Sequence, residues 1–457
     1  MKKQTHPSRN TILAITSYPN PGSGLYGSRE SFSAVCWHSE RILTELSKHH
    51  TVHVFANIIP DSIGTFSMSE HLHIRRVWKK GSWLSLLALP FRILKLKNVD
   101  TVFVQFEFSI LGGIIPNLIL LLDLLCIRIM GKKIVFEMHQ VIEDIRKLEK
   151  HIHIHNKMLQ WTINTGLRLY YVLIGLVSHN IIVFETELVE RLSHYVLRAK
   201  ILISSIPAAT LPDTEHITQS KAKRQLEYRS RDFVIMVFGY INEYKGIDWI
   251  LNAIKHIPSQ RIRLLIAGGP NPYHAHKREY QKYYNSILKR ASRDARVRVT
   301  GFIPDEDIPM YFQACDLVVL PYQVFMSASG PYSWAISYEK PFILSNILID
   351  YMKSPDLADA MNNTNLTSSD LFFPLKYKIF REKIEAFMRD KNSLAMHIAI
   401  SHELRNSRSL SKVVLNLSKI LSPSKQNEYS KVNQTDTAIS SHSIMGLLRN
   451  LILGNDL

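Results

Sequence analysis

Short apolar runs alternate with amphipathic stretches along most of this chain, and the clearest alternation is Val297–Asn346. Val297–Thr300 is a β-branched run, Asp305–Ala314 has helical spacing and Asp316–Pro321 is a buried-strand run. Ser329–Tyr338 is helical again, and Phe342–Ser345 closes as a strand. Upstream the same rhythm predicts strands at Thr11–Thr16, Thr51–Ala56, Thr101–Phe106, Lys133–Glu137, Asn180–Glu185, Lys200–Ser204, Phe233–Phe238 and Arg263–Ala267. Helices fall between them, among them Phe32–His49, Leu159–Val177, Ile247–His256 and Lys277–Arg293. Such an order defines an α/β chain with parallel, Rossmann-like sheets. The polar, strand-free residues 208–230 divide it into a first domain, 1–207, and a second, 231–402. A loop with Asn362 and Asn363, helices near Phe380–Arg389 and Ser393–Leu421, and a polar linker with an amphipathic tail (422–457, the helix at Ile444–Leu453) complete it.

Ligands of open α/β sheets sit beyond the carboxyl ends of strands, which directs attention to the turns there. In Ser327-Ala-Ser-Gly-Pro331, Ser329 can cap the helix, Gly330 admits a ligand to the backbone and Pro331 occupies the first turn. The amides of Gly330, Tyr332 and Ser333 would then be free to hold a pyrophosphate; an ordinary capped helix serving only the fold is the other reading. Lys245-Gly246 and Gly268-Gly269-Pro270 are two more such turns. Gly22, Gly24 and Gly27 have the GxGxxG spacing, but the helix starts several residues later, so the dinucleotide fingerprint is weak.

Three other features invite a chemical reading. The apolar run Ile110–Met130 contains Pro116, Asn117, Asp123 and Arg128 and lies between two strands, so it reads as a crossover helix and not as a membrane span. Asp305-Glu-Asp307 is formally a DxD metal signature, but it opens a helix, where Asp305 suits an N-cap. His151, His153 and His155 lack a further ligand at zinc spacing.

Composition narrows the partners. With 457 residues, 46% of them hydrophobic and 21% charged, the chain can build two or three globular cores. A net charge of +17 favours an anionic neighbour. No nucleic-acid motif is present, so phosphorylated substrates and an anionic membrane surface are the expected partners, not nucleic acid. Cys36, Cys126 and Cys315 are far apart and form no CxxC, which points to a reducing, cytoplasmic setting.

The Val297–Asn346 stretch also resembles the donor-binding segment of family 4 glycosyltransferases, through Gly301, Phe302, Pro304, Ala314, Asp316, Pro321, Gly330, Ala335, Lys340 and Pro341. A second block, Phe238-Gly-Tyr-Ile-Asn-Glu-Tyr-Lys-Gly246-Ile-Asp, is similar to that family's "FG-x-I-R-x-Y-KG-[IL]-D" element. The resemblance implies a GT-B fold, two Rossmann-like domains with parallel sheets facing an interdomain cleft, and a terminal helix (403–421) crossing back to the first. It implies retaining transfer of a hexose from a UDP- or GDP-linked donor to a glycan or lipid-linked acceptor, with no metal or other cofactor. The donor would be held by Gly239, Lys245, Gly246, Gly268, Gly269, Phe302, Ser327, Ser329, Gly330, Tyr332 and Ser333, and Lys245 would also be catalytic. His139, in Glu137-Met-His-Gln-Val141, would touch the transferred sugar, and Gly22, Gly24 and Gly27 would line the acceptor side. The chain departs from the family at Asn242, where an arginine is usual, and at Met326 and Trp334, which replace a Glu-x7-Glu pair. Glu339 stands where glycine is usual. Those losses leave open an alternative, a catalytically impaired protein serving as a binding or scaffold subunit.

Overall fold

The computed structural model describes residues 9–21, 34–59, 62–96, 98–149, 154–197, 202–210 and 217–422. The chain divides into two compact units, Met1–Glu143 with Lys157–Pro207 and Ser411–Leu457, and Asp144–Asn156 with Ala208–Leu410. Gly22, Gly24 and Gly27, the tail at Ile444–Leu453 and two of the three HIHIH histidines lie outside the described residues.

The first unit is built on an eight-stranded sheet in the order β3-β4-β2-β1-β5-β6-β7-β8. Its strands are β1 (Thr11–Thr16), β2 (Thr51–Ile58), β3 (Thr65–Ser69), β4 (Leu72–Lys79), β5 (Thr101–Phe106), β6 (Lys133–Met138), β7 (Asn180–Val183) and β8 (Ile203–Ser205). All pair in parallel except β3 with β4. Every residue of β5 is buried, as helices on both faces of a parallel sheet require. β3, at the edge of the sheet, and its neighbour β4 were not expected. Their mixture of serine, histidine and arginine with isolated apolar residues is what a half-solvated edge looks like, and it hides the strand period.

Helix α1 (Ala34–Leu46) follows β1, and three more, α2 (Trp83–Leu86), α3 (Leu89–Leu94) and α4 (Ile114–Ile129), flank β5. The apolar run therefore forms a helix of 16 residues, and no helix among the described residues is long and apolar enough to cross a membrane. The helix expected at Ser393–Leu421 is two helices, Lys391–Ser407 and Leu410–Leu421. The break falls at Arg408, whose carbonyl accepts from Thr210 N–H instead of from a following turn, while its buried guanidinium binds Asp356. Leu410–Leu421 packs within the first unit: Thr101 Oγ1 donates to the Leu421 carbonyl at 2.8 Å and Lys133 Nζ to that of Ile420 at 2.6 Å.

The second unit holds six parallel strands ordered β11-β10-β9-β12-β13-β14. They are β9 (Phe233–Phe238), β10 (Ile262–Ala267), β11 (Val297–Val299), β12 (Leu317–Leu320), β13 (Phe342–Ser345) and β14 (Phe372–Phe373). Successive strands run outward from β9 in one direction and from β12 in the other, so the order reverses between those two. Asp316 anchors that point. It accepts from Val234 N–H at 2.7 Å, from Lys223 Nζ at 2.7 Å and from Gln219 Nε2 at 2.9 Å, tying in the helix Gln219–Gln225 from the polar stretch. Asn362 and Asn363 are not in a loop but end the helix Pro355–Thr364, which stops at Asn365 in the left-handed region.

Candidate functional site

Four loops leave the carboxyl ends of β9, β10, β11 and β12 in the second unit, and the predicted donor residues lie on them. The loops approach each other closely enough to exclude side chains. A Cβ at Gly246 would stand 2.0 Å from the Pro321 carbonyl oxygen, and one at Gly268 would stand 2.1 Å from that of Gly239. Gly246 also has φ +71°, ending the turn Glu243–Lys245 and opening the helix Ile247–Ala253. Gly269 lies against the backbone of Gly301 and Phe302, and the Phe302 ring is exposed beside it.

Lys245 projects into this convergence. A Cβ at Gly239 would be 2.7 Å from Lys245 Nζ and 3.4 Å from Pro331 Cγ, so the ammonium and the first turn of the helix Gly330–Ser337 meet over the same glycine. Lys245 is only 5% exposed, and among the described residues its ammonium has no hydrogen-bond or ion-pair partner. Burial pushes its pKa down to about 8. A buried lysine with no counter-ion among the described residues, at the reversal of strand order, is suited to an anion.

The helix tip offers less than the sequence suggested. Ser329 does cap it, its Oγ accepting from Tyr332 N–H at 3.3 Å and bonding Tyr322 OH at 2.9 Å. That cap uses the Tyr332 amide, and Ser333 N–H is taken by the Ser329 carbonyl. Of the three amides, Gly330's is left. The Tyr332 side chain is buried against Phe342 and Tyr351, so it serves the core. Ser327 is half-buried, its hydroxyl on the Ala328 carbonyl. Asp305 is not an N-cap: Pro304 holds that place and Asp305–Asp307 is the first turn itself.

The departures from the family pattern acquire reasons. Trp334 belongs to an aromatic cluster with Phe238, Phe312 and Tyr338. Asn242 is buried and accepts from Asn271 Nδ2 at 3.1 Å. Glu339 has φ +51°, a left-handed backbone in which glycine is easy, and its carboxylate meets Arg405 at 2.7 Å and His402 at 3.1 Å.

In the first unit, His139 stands just past β6. Its Nε2 bonds Glu137 Oε1 at 3.0 Å, and the same oxygen takes His38 Nε2 at 3.0 Å and Gln105 Nε2 at 3.1 Å. The two imidazoles also meet edge to face, and Phe184 packs against both. Burial opposes the Glu137 charge, but the imidazoles outweigh it and hold the carboxyl far below its usual range. Burial lowers the His38 pKa. With Nε2 committed, His139 Nδ1 is the nitrogen left to face a ligand. The three ligand atoms lie within 4.8 Å of one another, close enough to suit a metal ion, although Glu137 Oε1 already receives three hydrogen bonds. Sequence reasoning missed His38 and Glu137, since nothing in the local pattern links α1 to β6. It also missed Arg76, which grips the Tyr18, Pro19 and Asn57 carbonyls and so holds the start of the loop leading to Gly22.

Two such parallel-sheet units in one chain are the architecture of the GT-B class. Solved structures agree on the fold. A sucrose-phosphate synthase from Thermosynechococcus elongatus superposes with TM-score 0.64 at 14% identity, covering 93% of this chain and 99% of its own. Anabaena HepE in complex with UDP gives 0.61 at 15%, covering 90% and 99%. Residues 232–358 match the family model described as Glycosyl transferases group 1. A GDP-mannose:glycolipid 4-beta-D-mannosyltransferase from Xanthomonas campestris pv. campestris is 26% identical over 110 residues, 24% of this chain. The match spans 29% of that relative's length.

Proposed function

We propose that this protein transfers a sugar from a nucleotide-sugar donor to a glycan or lipid-linked acceptor. The observation that carries the reading is Lys245, a buried lysine whose ammonium has no partner among the described residues and is set against the tip of the helix Gly330–Ser337. Departure of a nucleoside diphosphate builds negative charge on the leaving phosphate, and a preorganised cation with a helix-terminal amide stabilises that charge. Phe302, exposed beside Gly269, would cover a base, and Gly268 and Gly269 let the loops that would hold the donor pack together. His139 would contact the sugar.

Two stereochemical readings follow from different observations. Retention is what the family resemblance implies. Inversion is favoured by the Glu137–His139 pair: with the carboxylate accepting Nε2–H, Nδ1 can take the proton of an acceptor hydroxyl as its oxygen bonds the anomeric carbon and the nucleoside diphosphate leaves. The name of the Xanthomonas relative, a 4-beta-transferase using GDP-mannose, suits the second.

Thermal shift with GDP-mannose, UDP-glucose and ADP-glucose tests donor binding, because a ligand held only by the folded state raises the melting temperature. One of them is expected to raise it, and to lose that effect in Lys245→Met. No shift with any, together with no transfer, would favour the binding-subunit alternative. The anomeric configuration of the product, read by NMR, separates the two stereochemical readings.

A further inference from the structure

We propose that α2, α3, α4 and the helix Lys157–Val177 form a face that docks on an anionic lipid bilayer. A crossover helix needs an apolar stripe only where it covers its sheet. In α4, Leu120, Leu121, Leu124 and Ile127 meet that need and are buried. The opposite side of the same helix carries Ile114, Leu118, Leu122, Leu125 and Ile129, all exposed and spaced as a continuous helical stripe. Ile114 is 78% exposed.

The stripe continues onto the neighbours. α4 packs against α2, α3 and the helix Lys157–Val177, and these present Trp83, Leu84, Phe91, Leu94 and Trp161, with Phe91 69% exposed. An apolar surface of this extent on one side of one unit exceeds the scattered residues normal for a water-facing surface. Exposed lysines border the face. Lys79, Lys80 and Lys95 are exposed along α2 and α3. Asp123 is the sole acid within these four helices. It is buried, and burial pushes its carboxyl up to about 7.

Aliphatic side chains, two tryptophans and bordering lysines, with no exposed acid within the four helices, match the headgroup boundary of an anionic membrane, where apolar groups enter the acyl region and lysines meet phosphate. The occupant is thus a bilayer carrying anionic lipid. This deepens the reading of a lipid-linked acceptor and borrows its purpose from it, but docking itself needs neither donor nor transfer.

The test is co-sedimentation of the full chain with phosphatidylcholine vesicles, with and without phosphatidylglycerol. Binding is expected with phosphatidylglycerol, with a blue shift of tryptophan emission from Trp83 and Trp161, and is expected to weaken as salt rises. The double variant Phe91→Ser/Leu122→Ser should weaken it by roughly tenfold or more. Lys79→Glu/Lys95→Glu should cost roughly fivefold per lysine. Both pairs are exposed, so circular dichroism and melting should match the parent. Absence of vesicle binding, or binding that both variants leave unchanged, overturns the proposal. So does a dimer in sedimentation velocity that Phe91→Ser/Leu122→Ser dissociates while vesicle binding persists. Transfer to a soluble acceptor without vesicle binding would sink the docking face and spare the proposed activity; vesicle binding without transfer would do the reverse.

Discussion

Burying Lys245 without a counter-ion among the described residues costs stability that a bound diphosphate would restore. Burial lowers its pKa from 10.5 to about 8. Between those values the unfolded chain carries the proton and the folded chain does not, so stability rises with pH across that window. Below about 8 both states are charged and the full penalty, roughly 3 kcal/mol, is present. Lys245→Met is therefore expected to melt higher than the parent at pH 7 and to lose that rise in stability above pH 8. It should also lower kcat by roughly 10²- to 10³-fold. Nucleotide affinity in the parent should fall as pH climbs through 8, measured by calorimetry. Glu137→Gln keeps the shape of its network but cannot hold His139 Nε2–H as an anion does. We expect kcat to drop by about 10²-fold with the donor KM unchanged, and steady-state kinetics would show it. Glu339 is strained but paired. In an Arg405→Ala background Glu339→Gly should stabilise by about 1 kcal/mol, read from urea unfolding.

Among the elements, those whose apolar runs are buried on both faces were legible as strands before any coordinates. Thr11–Thr16, Phe233–Phe238 and Phe342–Ser345 form as expected to the residue. The misses share a cause. β3, at the sheet edge, and β4 beside it mix polar and apolar residues, and the stop at Arg408 depends on a hydrogen bond from Thr210, 198 residues away. No periodicity within a window of ten residues contains such a partner. Asp316 shows the same dependence on distance. The resemblance supplied it as a motif residue, yet its bonds to Val234 N–H, Lys223 and Gln219 make it the bolt that holds β12 to β9 and to a preceding helix. Asp316→Ala strands the buried Lys223 ammonium, and chemical denaturation should register a loss of roughly 3 kcal/mol.

For the molecule as a whole, the last helix among the described residues returns to the unit in which the chain began. Removing residues from 410 onward takes away the partners of Thr101, Lys133 and His50 and uncovers the surface that Leu417 and Leu421 bury. Hydrogen exchange is expected to speed up in β1, β5 and β6 of the truncated protein while β9, β10 and β12 keep their protection. Two parallel-sheet units, the positions of most strands along the chain, the glycine turns and the lysine beside one of them were all written in local pattern, because apolar period and turn chemistry act over a few residues. The convergence of Lys245 on the helix tip, the consumption of two of three helix amides, and the joining of His38, Gln105 and His139 on one carboxylate oxygen were not. Each depends on which strands lie side by side and on how much water is excluded between their loops, quantities that come into being only when segments a hundred residues apart are packed together.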